Sequence, residues 1–287
     1  MNTPIAVLAV IGGGIVFWLG MLRRRAGVTA DGRITAVLRI ANQVGLPVES
    51  RGMGERIAER LRRERRISAW AVPPAVLIAA AVAIGPVDEA APVWMLLPMY
   101  IVVAGAIVGG SIAAVVTGFR LDPSRPRVAR LRVPERRDYA DPLIVVGTRL
   151  LVLLGAAVAL VSALLGRNLP IIAIAALLSV AVLAGAELTA ERLARHPQHA
   201  ADHEELRWDD ALRALALNQL YAAPAVLAVP PILIGGIDLS IAYLGDTIAF
   251  LPVYALLFAA LILAAVRRPG RRAVRALWGT ELPEEVQ

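Results

Sequence analysis

Seven stretches of this chain run for about twenty residues with hardly a charge among them. A helix rises 1.5 Å per residue, so roughly 20 apolar residues cross the hydrocarbon core of a bilayer. By that measure the expected spans are 4–22, 69–86, 93–118, 143–166, 169–187, 214–235 and 246–266. The overall balance agrees: 58% of the residues are hydrophobic, above the 45–50% or so of an ordinary soluble domain. The expected fold is therefore all-α, a polytopic membrane bundle of about seven transmembrane helices.

Arginine orients that bundle. The chain has 30 basic residues, every one an arginine. Twelve lie in 23–68, seven in 119–142, four in 188–213 and five in 267–287. The alternate, shorter loops hold only Arg167, and Arg149 lies inside the fourth span. Short loops rich in arginine stay in the cytoplasm. The N-terminus is then expected outside and the C-terminus in the cytoplasm, with the chain in the plasma (inner) membrane. Arg23, Arg24 and Arg25 follow the first apolar run instead of preceding it, which points to an uncleaved anchor. Four parts result: an anchor at 1–22, a basic cytoplasmic helical segment at 23–68, a six-helix membrane domain at 69–266 and a basic tail at 267–287. The membrane domain divides into hairpins 69–118, 143–187 and 214–266.

The cytoplasmic segments carry local signals. In 23–68 a helix is expected from Thr29 or Asp31, with apolar residues at Ile34, Val37, Leu38, Ala41 and Val44 and a stop at Gly45 and Pro47. A second should start near Ser50. Its arginines suit a face resting on anionic lipid headgroups, or docked on a cytoplasmic partner. No recognition module accompanies the charge, so nucleic acid is not expected. Prolines 123, 126, 134 and 142 divide the next loop. Segment 188–213 carries six acids against four arginines, and contact with the basic first loop follows from the charges. Trp208 is expected near the membrane interface.

The residues that could carry chemistry are few. His196, His199 and His203 are the three histidines, and steps of three and four bring side chains to one helix face. Such a set can hold zinc. Pro197 interrupts it, however, and the order is not H-E-x-x-H, so these are weak metal candidates and no metal is expected. The chain has no cysteine and no lysine, which removes thiolate, Schiff-base and P-loop chemistry. It has no G-x-S-x-G, and no carboxylate stands near the middle of a span. Neither an enzyme nor a cofactor is expected. Arg149 can snorkel to the interface, bind an anion or pair with Glu187. Gly105 and Gly109 form a G-x-x-x-G that lets helices approach closely, within the chain or toward another subunit.

The stretch WDDALRALALNQLYAAPAVL at 208–227, with SRPRVARL at 124–131 and RDYADPL at 137–143, resembles multi-pass membrane proteins of actinobacteria in which D-D-A-L-R precedes a late span. The resemblance implies a lineage and a topology and brings no activity with it. It makes Asp209, Asp210 and Arg213 candidates for an interface. The function expected from all this is a non-enzymatic membrane subunit acting with a partner, permease-like or accessory to an export system of the ABC type, with an ATPase or another membrane subunit as that partner. The alternative is a self-contained carrier or channel that uses the proline-broken sixth span, an intramembrane enzyme being the least favoured.

Overall fold

The computed structural model describes residues 30–84, 93–119, 134–167, 170–198, 200, 202–244 and 269–279. The expected first and seventh spans, 4–22 and 246–266, lie outside them. The described residues are helical, with no strand among them.

Helix α1, Ala30–Val44, ends where Gly45 takes φ +75°, a conformation that costs a residue with a Cβ. The Gly45 and Leu46 amides both return to the Ala41 carbonyl, and Pro47 prevents any continuation. Helix α2, Arg51–Trp70, starts on Ser50, whose hydroxyl accepts the Met53 amide at 3.2 Å. The second expected span does not run on from it unbroken. The chain turns at Ala71, and α3 occupies Val72–Ile84. Pro73 and Pro74 fall in the first turn of α3, where the amides they lack would have no intrahelical partner, and they suit a break at Ala71.

Helix α4 runs Val93–Gly118 and a single turn, α5, Arg136–Tyr139. Asp141 accepts the Leu143 amide at 2.9 Å and opens α6, Pro142–Leu164, with Pro142 at its first position. Gly166, φ +74°, closes it. Helix α7, Pro170–Arg195, continues two turns past the expected limit at 187. Asp202 caps α8, His203–Leu227, by accepting the Glu205 amide at 2.7 Å. Pro230 and Pro231 then remove two successive amide donors. The helix answers with one π turn, Pro231–Gly235, and resumes as α9, Gly236–Leu244. Helix α10 is Pro269–Trp278.

Four of these runs are long and apolar enough to cross a membrane: Tyr100–Gly118, Pro142–Leu164, Pro170–Arg195 and His203–Leu239. Large apolar side chains on α6 and α7 face outward, among them Leu150, Leu153, Leu160, Ile174 and Leu177, each more than 60% exposed. A continuous greasy surface of this kind belongs in lipid. The chain is therefore a membrane-embedded helical protein.

Helix α8 is the axis, packed by α4, α6, α7 and α10. Two different cores surround it. Within the apolar part the core is small: Ala114, Ala186, Ala190, Ala194, Ala214 and Ala216 bring helices together around Leu217 and Tyr221. At the arginine-rich end it resembles that of a soluble protein, with Val37, Val44, Met53, Ile57, Leu61, Trp208 and Val274 from four helices. Trp208 is thus a core residue. It is 2% exposed, and its indole N–H donates to the Pro47 carbonyl at 3.0 Å.

Candidate functional site

The first three turns of α8 carry Glu204, Glu205, Arg207, Asp209, Asp210 and Arg213 ahead of the apolar stretch that begins at Ala214. Asp209, Asp210 and Arg213, adjacent in sequence, turn to different partners. Arg213 is 3% exposed. Its guanidinium donates to the Leu193, His196 and Pro197 carbonyls at 3.1, 2.6 and 3.0 Å, and through Nε to Asp209 at 3.0 Å. The last carbonyls of a helix have no intrahelical donor, so Arg213 satisfies and neutralises the C-terminal end of α7. A planar fork of five N–H groups suits this task, whereas an ammonium does not.

Asp209 also accepts from Arg60 of α2 at 3.2 Å and from Gln198 at 2.8 Å. Asp210 is wholly buried and accepts from the Tyr139 hydroxyl at 2.8 Å, the Gln198 amide at 2.8 Å and the Trp278 indole at 2.9 Å. One pair of carboxylates therefore ties α2, α5, the end of α7, and α10 to α8. Two neighbouring carboxylates often suggest acid–base chemistry. Here the charge of Asp209 is matched by Arg213 and Arg60, and both oxygens of Asp210 are held by neutral donors. The arrangement joins segments instead of presenting a reactive oxygen.

Further polar contacts sit beside it. Asn218 accepts the Asp141 amide and donates to the Tyr139 and Ala214 carbonyls. Arg272 of α10 pairs with Asp141 at 3.1 Å. The basic and acidic segments meet at Arg56–Glu205, 3.4 Å, and Arg60–Asp209, 3.2 Å. Arg149 of α6 binds Glu187 of α7 at 2.8 Å, and Arg136 pairs with the other oxygen of the same carboxylate. Gly105 and Gly109 face inward: a Cβ at Gly105 would overlap Ala75, and one at Gly109 would overlap Ala71 and crowd the Ser68 carbonyl. The G-x-x-x-G of α4 thus receives the α2–α3 turn.

The two described histidines turn to different partners. His196 sets Nε2 3.1 Å from the Phe119 carbonyl and its ring edge-on to Phe119. His203 meets Trp278 edge-on. His199 lies outside the described residues. Among the described residues no group of three His, Cys, Asp or Glu side chains is placed to hold a metal ion.

Between α1 and α2 lies a groove of about 710 Å³. Val37, Leu38, Val48, Ala58 and Leu61 line it together with Arg51, Arg62, Arg65, Arg66, Glu55 and Glu59. Leu38 is 53% exposed there. Sequence reasoning pointed to Asp209, Asp210 and Arg213 but not to Arg60, Tyr139, Gln198 or Trp278. Only the need of a buried acid pair for donors hinted that such partners exist. Comparison of the chain with known protein families, with curated proteins and with solved structures finds no match in any of the three.

Proposed function

We propose that this chain is a non-enzymatic, multi-pass subunit of the plasma membrane that holds a cytoplasmic partner on its arginine-rich end. The observation that carries the reading is the α1–α2 groove: a lining that mixes apolar side chains with arginines, on a helix that Arg60 ties to Asp209 of α8. Such a groove suits the apolar face of a partner's helix. In an export system of the ABC type, that partner is the ATPase. The resemblance to actinobacterial membrane proteins fits the same picture without naming an activity.

The proposed topology has seven spans, N-terminus outside and C-terminus in the cytoplasm. Contacts between distant segments support it. Arg271 donates to the Asn42 carbonyl at 2.9 Å and Arg272 pairs with Asp141, so α1, α5 and α10 share one end. Arg167 pairs with Asp238 at 2.5 Å, which puts the start of α9 at the opposite end, beside the close of α6. The proposed span at 246–266 joins these two ends.

A carrier working through the sixth span is the second reading, favoured by its π turn. That turn packs against apolar neighbours: a Cβ at Gly235 would stand 2.7 Å from Val158, and Ile172 adjoins Ile234. These contacts place it behind the subunit reading.

A photo-crosslinking amino acid at Leu38, introduced in cells of the native host, tests the proposal. One adduct of discrete mass containing a cytoplasmic protein is expected, weakened by R62Q/R65Q and missing when the crosslinker stands at lipid-facing Leu160. A Leu38 probe that captures no protein, together with a solitary chain in mild detergent, would overturn it.

A further inference from the structure

Arg149 stands on the lipid-facing stripe of α6. Val146, Leu150 and Leu153, at spacings that put them on the same face, are 47%, 61% and 64% exposed. An arginine in such a place needs a counter-charge, and Glu187 supplies one at 2.8 Å. The same carboxylate also serves Arg136. Two guanidinium groups therefore share one carboxylate, and the cluster keeps one positive charge at the border of the apolar surface.

That charge is accessible. The Arg149 side chain is 44% exposed and that of Arg136 28%. Arg149 turns Nε and one terminal nitrogen toward Glu187, and its remaining N–H groups point away from that carboxylate. The surface beside the cluster is open: a Cβ built on Gly147 of α6 or Gly185 of α7 meets nothing within 4 Å. Leu188, 64% exposed, continues the greasy surface on α7.

A basic site between transmembrane helices, flanked by bare leucines, has the chemistry of an anionic lipid site. We propose that Arg149 and Arg136, positioned by Glu187, bind the phosphate of an anionic phospholipid whose acyl chains lie along α6 and α7. The phosphate accepts the unused guanidinium N–H groups and cancels the residual charge, while the chains cover Leu150 and Leu153. The site does not depend on the partner groove, which lies on α1 and α2.

The test uses the full chain in mixed micelles holding equal phosphatidylglycerol and phosphatidylcholine, read by native mass spectrometry. Phosphatidylglycerol should be retained preferentially. R149Q and R136Q should each lower its retention about fivefold, the worth of one arginine near a charged surface. R149K keeps the charge and should retain most of the binding, which separates lost charge from a disturbed fold. R167Q, at the far end of α6, should change nothing. Equal retention of the two lipids, an R167Q effect as large as that of R149Q, or displacement of the lipid by excess inorganic phosphate would each overturn the proposal.

Discussion

Asp210 and Arg213 are both buried, yet they hold the molecule together differently. Asp210 accepts from three segments, through the Tyr139 hydroxyl, the Gln198 amide and the Trp278 indole. D210N keeps the shape but replaces one acceptor oxygen with an NH₂ facing a donor. Leaving buried donors unmatched costs about 1–3 kcal/mol each, more where a charge was the acceptor. D210N is therefore expected to lower stability by about 2–4 kcal/mol. Asp209 is 23% exposed at its side chain, but it carries the charge that matches Arg213, which is 3% exposed. D209N leaves that buried guanidinium without its carboxylate and should cost about 3–5 kcal/mol. Thermal unfolding of the purified variants in one detergent checks both losses, and a D209N variant as stable as the parent would refute the account. R213K tests the cap on α7. An ammonium cannot serve three carbonyls and a carboxylate in one plane, so a loss of about 1–3 kcal/mol is expected by the same measurement.

At the scale of elements, the closest packing is where α4 receives the α2–α3 turn. A side chain at Gly109 would strike Ala71 and the Ser68 carbonyl, which is backbone and cannot swing away. G109L should push α4 from the turn and cost about 1–3 kcal/mol by overpacking. L153A, on an open lipid face, should cost far less, and equal losses in the two unfolding midpoints would contradict this packing. Much of the element structure was legible because its signals are local. Ser50 caps its helix through a hydroxyl three residues away, and Gly45 stops α1 through its own backbone freedom. The turn at Ala71 was hidden because Ala69, Trp70 and Ala71 are as apolar as the span they interrupt. The burial of Trp208 was not legible because its core is assembled from Val37, Ile57 and Val274, hundreds of residues apart in part, and hydropathy registers only that it is large and half polar. The acid pair could be seen; its partners could not, since Tyr139, Gln198 and Trp278 lie in three separate segments brought together only by folding.

For the whole molecule, the two cores explain how a bundle of small residues stays in register. Alanine and glycine contacts let the transmembrane helices approach closely but anchor them with few large side chains. The arginine-rich end supplies what is missing: Trp208, Tyr139 and a saturated polar network fix the helix ends relative to one another. This division requires α1, α2, α5, the start of α8 and α10 to lie on one side of the membrane, and the proposed topology makes that side the cytoplasm. The absence of cysteine makes the claim simple to test, because a single introduced thiol is the only one in the chain. Glu55 in α2 has a side chain 69% exposed, and Arg275 in α10 is exposed as well. E55C and R275C are expected to resist a membrane-impermeant maleimide in intact cells and to react in inverted vesicles. R167C, at the opposite end, should do the reverse. If E55C and R275C were labelled from opposite faces, the packing of α1, α2, α8 and α10 into one core could not hold. If both were labelled from outside, that core would survive while the cytoplasmic partner proposed for its groove would not.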